Sequence, residues 1–324
     1  MTMLTRFPSA YPDESLYSLL ARHMRQSESL NTHQVVKALY GNSKKRADHF
    51  YVSDNVPLFE GFEHMNLSSE AFIFKYTLYP YYAAFLPKCL GQYIVQKMIS
   101  SNEHDLHKII EFDRNINYLK HCPDCMEEDR RLYDETYWHR THQLPGVFIC
   151  PQHQTPLVTL KHLHSNKCLL ASAASFKESA LPKFSKATTD ILLFIARESQ
   201  WLLHQRVSMY DLNSYRDKFL LFLKKEQMVS LSGRINQRQW FALFTHHYSE
   251  ECLNLLQANV TPHNCWLQAI VRKHTKVFHP VQNLLVIKLM ANSLQEFFKW
   301  DIGTGPLSQH THIANDNASQ AFQK

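Results

Sequence analysis

The feature that most constrains this 324-residue chain is a pair of short knuckles, Cys122-Pro-Asp-Cys125 and Cys150-Pro-Gln-His153. Three cysteines and one histidine make one of the standard closed tetrahedral sets for zinc. A two-residue spacer lets both side chains of a knuckle turn onto one ion, and a proline after each first cysteine stiffens both turns alike. The interval between the knuckles is longer than in the commonest zinc ribbons, so it must hold structure of its own, such as a hairpin or a short helix. Four protein ligands leave no open position, whereas a catalytic zinc keeps one. No H-E-x-x-H occurs, and no H-x-E precedes the first knuckle, so the zinc-protease and deaminase patterns are absent. The expected cofactor is therefore a structural Zn2+ held by Cys122, Cys125, Cys150 and His153. His162, His164 and Cys168 lie just beyond at irregular spacing and read as exposed histidines and a small thiol in preference to a second site. Cys89, Cys252 and Cys265 are isolated and read as core thiols.

Glycine is scarce, at 7 residues in the whole chain. Neither G-x-x-x-x-G-K nor G-x-G-x-x-G is present, which excludes the two common glycine-rich nucleotide loops. A glycine-poor chain rich in Leu, Lys, Gln and Glu is expected to be mostly α-helical. Lys and Arg number 35 against 29 Asp and Glu, for a net charge of +6. That balance permits a nucleic-acid surface without requiring one, because clustered charge matters more than the total. The opening MTMLTRFPSAYPDE lacks an apolar signal region and no run of 18 apolar residues exists, so a cytoplasmic, nucleoid-associated location without membrane contact is expected.

Four regions are expected. A helical, helix-turn-helix-like domain covers 1–117, with helices over Asp13–Met24 and Thr32–Tyr40, a loop-rich stretch at 43–68 and a further helix near 90–112. A zinc-ribbon-like module covers 118–170. A helical, DNA-binding-like domain covers 171–300, its helices marked by periodic apolar residues and by the start signals Ser249, Thr261-Pro262 and Pro280. Residues 301–324 are polar and without period, and read as a disordered tail or linker.

Several stretches resemble one family. FPSAYPDESLYSLLARH near the start, YGN at 40–42, LYPYYAAFLP at 78–87 and CPDC…YWHRTHQLPGVFICPQHQTPL at 122–157 are similar to the TniQ/TnsD family, and CWLQAIVRKHTKVFHPVQNLL at 265–285 extends the likeness toward its longer TnsD branch. The resemblance spans about residues 6–300. It implies a bacterial transposon target-selection protein that recruits an AAA+ ATPase, TnsC, to a chosen DNA site. Some members bind an attachment site directly, and others ride on a CRISPR Cascade effector that reads the target through guide RNA. The partners so implied are double-stranded DNA, TnsC, a Cascade complex and a second copy of the chain as a dimer. TnsD proteins continue with another helical region where this chain turns polar, which fits either a short TniQ-like member or a truncated TnsD-like one. Members often carry a second knuckle pair as well, of which His162, His164 and Cys168 are all that this sequence offers.

The residues add candidate contacts. From Cys265 to Trp300 cations outnumber acids, and the turn holding Arg272, Lys273, His274 and Lys276 precedes a helix starting at Pro280. Cations, a helix dipole and free backbone N–H groups together would grip a phosphate. In the insert Tyr137-Trp138-His139-Arg140, Trp138 is expected to pack, while Arg131 and Arg140 are the candidates for nucleic-acid contact. Arg234, Arg238 and Trp240 form another basic, aromatic helix start. A zinc-stabilised nuclease and a stand-alone DNA-binding regulator are the rival readings. The acids Asp124, Glu127, Glu128, Asp129 and Asp134 match no catalytic motif and read as a solvated run.

Overall fold

The computed structural model describes residues 8–26, 67–100, 118–161, 181–209, 211, 213–261, 265–274, 276–299 and 311–314. They are mostly α-helical with short strands, as the glycine scarcity predicts. The expected helix at Thr32–Tyr40, most of the 43–68 loop and the trio His162, His164 and Cys168 lie outside the described residues. Among the described residues no helix is long and apolar enough to cross a membrane.

Two compact units emerge. Described residues up to Tyr79, and from Gln92 to Lys183, form the first; Pro80–Gly91 and those from Phe184 onward form the second.

In the first unit, α1 spans Leu16–Gln26. It begins three residues later than its periodicity suggests, because Asp13 adopts a left-handed φ of 53° and Glu14 bridges to His139. Ser15 takes over the start: its Oγ accepts from the Ser18 N–H at 3.2 Å, as an N-cap should. Helix α2 (Ser69–Tyr76) is capped by Ser68, whose side chain accepts from Ala71. The short α3 (Tyr79–Ala83) belongs to the second unit from Pro80 onward, and α4 (Lys88–Ile99) returns the chain to the first unit at Gln92. Strand β1 (Tyr118–His121) leads into α5 (Pro123–Tyr133), and a single helical turn, α6 (Arg140–Gln143), comes next. Strand β2 (Val158–Lys161) pairs antiparallel with β1, Tyr118 opposite Lys161 and His121 opposite Val158. The knuckles lie between these two strands in the chain. The unit's core gathers Leu16, Leu19, Leu20, Phe72, Ile73, Trp138, Val147 and Ile149.

In the second unit, Ser185 caps α7 (Lys186–Leu203), which buries Ile191, Leu192, Phe194, Ile195, Leu202 and Leu203. Strand β3 (Arg206–Met209) precedes α8 (Ser214–Lys225). A hairpin closed by a Val229–Ile235 bridge precedes α9 (Gln237–His247), capped by Asn236. Ser249 caps α10 (Glu250–Leu255) as expected, whereas α11 (Trp266–Ile270) starts at Cys265, beyond the Thr261-Pro262 signal. Helix α12 (Pro280–Met290) is buried along nearly its whole length. It contacts α7, α8 and the closing helix α13 (Leu294–Lys299). Buried hydroxyls and amines tie these helices to carbonyls: Tyr248 Oη donates to Leu285 O at 2.6 Å, and Lys218 Nζ to Phe297 O at 2.8 Å. Within 301–324, read as a tail, the described residues are Thr311–Ala314. They form β4, antiparallel to β3 with Val207 opposite Ile313.

Candidate metal centre and nucleic-acid surface

The two knuckles carry matching prolines yet are built differently. Cys122 is the N-cap of α5, with Pro123 in its first turn. Proline suits that position because its missing N–H would have no partner there. Cys125 follows in the same turn, and the Met126 N–H donates to Cys122 O at 3.1 Å. Both sulfurs thus face the positive end of an 11-residue helix, which favours thiolate. The interval between the knuckles holds this helix, whose MEEDRR run has high helical propensity. The second knuckle is a tight hairpin turn. The Cys150 N–H donates to Thr155 O at 2.8 Å and the Gln154 N–H to Cys150 O at 2.9 Å. Gln154 takes the left-handed φ of 58° that closes it.

The four side chains converge, with all ligand atoms within 4.8 Å of one another. Cys125 Sγ and Cys150 Sγ lie 3.7 Å apart. His153 Nδ1 lies 3.7 Å from Cys122 Sγ, 3.2 Å from Cys125 Sγ and 3.7 Å from Cys150 Sγ. Zn–S bonds near 2.3 Å and Zn–N bonds near 2.0 Å define a tetrahedron with edges of about 3.5–3.8 Å. The cluster therefore has the size of a tetrahedral metal cage, and the three cysteines are buried. Protonation points the same way. Cys125 is pushed up by its contacts with Cys122 and Cys150, while Cys150 is pulled down by the same two thiols. Three sulfurs so close cannot all ionise together unless a cation joins them.

The surroundings fit a bound metal as well. With Nδ1 on the sulfurs, His153 turns Nε2 toward Glu128 Oε2 at 3.7 Å, and Gln152 holds that carboxylate at 3.2 Å. His142, buried, places Nε2 3.9 Å from Cys125 Sγ, and its Nδ1 has no partner among the described residues. Burial lowers its imidazole below the usual range, which favours the neutral ring, and the tautomer protonated at Nε2 would donate to sulfur. A Cys3His set around Zn2+ carries a net charge of −1, and such a donor offsets it.

Around this centre the insert is packed and bonded. Trp138 is 1% exposed, as expected. Arg140 requires a correction as a nucleic-acid contact. It is 3% exposed, and its guanidinium reaches Asp13 Oδ1 at 3.4 Å, Phe74 O at 2.7 Å and Thr77 O at 3.2 Å. Arg131 is exposed on α5. The acidic run is not wholly solvated, since Asp129 is buried and pairs with His139 at 3.0 Å. Lys120, buried in β1, was not anticipated: its Nζ donates to Leu144 O at 2.7 Å and Val147 O at 2.6 Å. A lysine in an otherwise ordinary strand gives no sign that it will be enclosed by carbonyls. Of the isolated cysteines, Cys252 is buried, Cys265 half-buried and Cys89 exposed.

In the second unit, Arg234, Arg238, Arg272, Lys273 and Lys276 are exposed, and Trp240 is buried. The expected phosphate grip at the N-terminus of α12 is corrected by its capping box. His279 Nδ1 accepts from Val281 N at 3.2 Å, and Gln282 Oε1 accepts from His279 N at 3.1 Å. Those internal caps take the place of a ligand. What remains is a cationic crevice lined by Arg216, His274 and Lys276 over Phe85 and Phe219. Arg216 Nε and His274 Nδ1 are buried there and have no partner among the described residues. Burial lowers the His274 imidazole, and the Arg216 charge adds to that effect against a bond to Lys276.

The matches to known proteins follow the same division of the chain. The family model described as TniQ covers residues 5–157, and that described as Tn7-like transposition protein D covers 195–315. The chain belongs to the TniQ/TnsD family of transposition proteins. It is similar to the transposon Tn7 transposition protein TnsD of Escherichia coli, with 23% identity over 306 residues. The alignment takes in 87% of this chain and 57% of that protein, so the chain spans somewhat over half the length of its relative.

Proposed function

We propose that the protein selects the target site for a transposon. It holds double-stranded DNA, or a CRISPR Cascade complex seated on DNA through its guide RNA, and recruits the AAA+ ATPase TnsC. The observation that carries this reading is the succession of a TniQ match at 5–157 and a transposition protein D match at 195–315 in one chain. The missing nucleotide loops agree with it, since any ATP use falls to a partner.

In this reading Zn2+ fills the Cys3His cluster and has a structural role. The second unit carries the DNA contacts through Arg234, Arg238, Arg272, Lys273 and Lys276, helped by Arg216 and His274 in the crevice. Arg131 contributes from the first unit. The chain acts as an adaptor and not an enzyme. In support, Asp129 pairs with His139, Thr155 donates to Asp124, and Glu128 faces His153. Those acids are engaged around the metal cluster and are not grouped as a magnesium site.

Purification of the full chain with the products of neighbouring genes tests the proposal. Co-elution with an ATPase, together with DNA or a guide-RNA complex, is the expected result. Magnesium-dependent DNA cleavage by the pure chain would overturn the adaptor reading in favour of a nuclease. DNA binding with no ATPase partner would point to a stand-alone regulator.

A further inference from the structure

The hairpin between α8 and α9 holds a leucine out into water. Leu231 is 111% exposed, more than any other large apolar side chain among the described residues. A lone exposed leucine is ordinary on a protein surface, but two features set this one apart.

The first is rigidity. The tip is closed by Ser230 N–H to Arg234 O at 2.9 Å, Gly233 N–H to Ser230 O at 2.9 Å and Arg234 N–H to Ser230 Oγ at 3.0 Å. Its root is closed by Asn236 N–H to Met228 O at 2.7 Å. Gly233 takes the left-handed φ of 77° that the turn needs. Leu231 is therefore presented in one place, and little ordering entropy remains to be lost on contact.

The second is charge. Between residues 224 and 238 lie Lys224, Lys225, Arg234 and Arg238, all exposed, against the single acid Glu226. The hairpin is also joined to the other cationic segment. Trp240 Nε1 in α9 donates to Leu267 O in α11 at 2.9 Å, and α11 ends two residues before Arg272.

An apolar point ringed by cations matches duplex DNA, whose phosphates take the charges while a side chain wedges into a minor-groove base step. We propose that the 229–235 hairpin is a DNA-bending wedge, with Leu231 entering a base step and Lys224, Lys225, Arg234 and Arg238 on the flanking phosphates. This inference rests on the reading of the second unit as a DNA-binding body, and adds to it a site and a mode.

The test uses the full chain and a 30-base-pair A·T-rich duplex of about that length (three helical turns), carrying end fluorophores and an internal 2-aminopurine. The wild type should bring the ends together and brighten 2-aminopurine. Leu231→Ser touches no packed group and should leave the melting temperature unchanged. It should abolish both signals and weaken binding about tenfold, the scale of one buried leucine, with the salt dependence kept. Arg234→Ala with Arg238→Ala should instead flatten the log–log salt slope by about 2. Wild-type bending and affinity in Leu231→Ser would overturn the wedge alone. So would a variant that keeps DNA but loses the ATPase, which would make the hairpin a protein contact. A wild type that binds no duplex would overturn the DNA-binding reading and the wedge with it.

Discussion

The guanidinium of Arg140 lies 3.4 Å from the carboxylate of Asp13, across 127 positions of the chain. The surrounding bonds make this contact a seam. Asp13 O accepts from the Arg140 N–H at 2.6 Å, Asp13 Oδ2 accepts from the Thr141 N–H at 2.9 Å, and Trp138 O accepts from the Ser15 N–H at 2.9 Å. The entry to α1 is thus stitched to the insert between the knuckles. Burial works to raise the Asp13 carboxyl, but Arg140, His139 and Thr141 outweigh it and hold it below the usual range. Replacing Arg140 by Met leaves that half-buried carboxylate without its cation and takes the donor from Phe74 O and Thr77 O. The expected cost is about 3–5 kcal/mol, read as a lower denaturant midpoint. DNA affinity of the folded fraction should not change, and a selective loss of DNA affinity with full stability would return Arg140 to the surface.

Metal removal should act on the fold. One zinc per chain is expected by elemental analysis after chelator-free purification. A structural zinc supplies on the order of 10 kcal/mol or more of folding free energy. Chelation or Cys122→Ser should therefore strip hydrogen-exchange protection from β1, α5 and β2. Metal-free protein that keeps this protection would show that the sulfurs pack without an ion.

His142→Phe separates sulfur donation from packing, because phenylalanine keeps the ring and loses the N–H. Zinc affinity, measured by competition with a chromophoric chelator, should fall by about 10–100-fold. His142→Gln, which restores an N–H donor, should recover part of it. Equal zinc affinity in all three proteins would leave His142 as a packing residue.

The basic turn is tested by salt. Lys273→Ala with Lys276→Ala should weaken duplex binding for every sequence alike. The slope of log affinity against log salt should become shallower by about 2. An unchanged slope would place the DNA elsewhere.

His279 gives the second unit an acid sensitivity. Burial lowers its imidazole to about 4, against about 6.5 in an unfolded chain. Between these values the unfolded chain binds the extra proton, so stability falls as pH drops from about 6.5 to 4 and levels off below. Asparagine keeps an acceptor for the Val281 N–H and does not titrate. The melting temperature of His279→Asn should drop less than that of the wild type between pH 7 and pH 5. Parallel losses in both proteins would remove His279 as the cause.

Local signals carried far in this protein. Ser249 and Pro280 mark real helix starts because a cap or a missing N–H acts within one turn. The four metal ligands are legible because a two-residue spacer alone sets how two side chains can meet. The helix at Pro123–Tyr133 was less legible, since a cysteine- and proline-rich stretch masks its propensity until Pro123 is seen to open it. The entry of α1 misleads for a related reason: Asp13 and Glu14 suit a first turn, yet they bond to Arg140 and Arg22 instead.

By itself the sequence determined the helical class, the Cys3His set and the family, all of which rest on residue types and short spacings. Only the tertiary structure decided which charges face water. Arg140 and Arg131 look alike in sequence, but one is enclosed by Asp13 and two carbonyls while the other is exposed. The N-terminus of α12 likewise looked open to phosphate until His279 and Gln282 closed it. A side chain's charge is written in the chain, but whether it meets solvent depends on partners brought near from distant positions by packing.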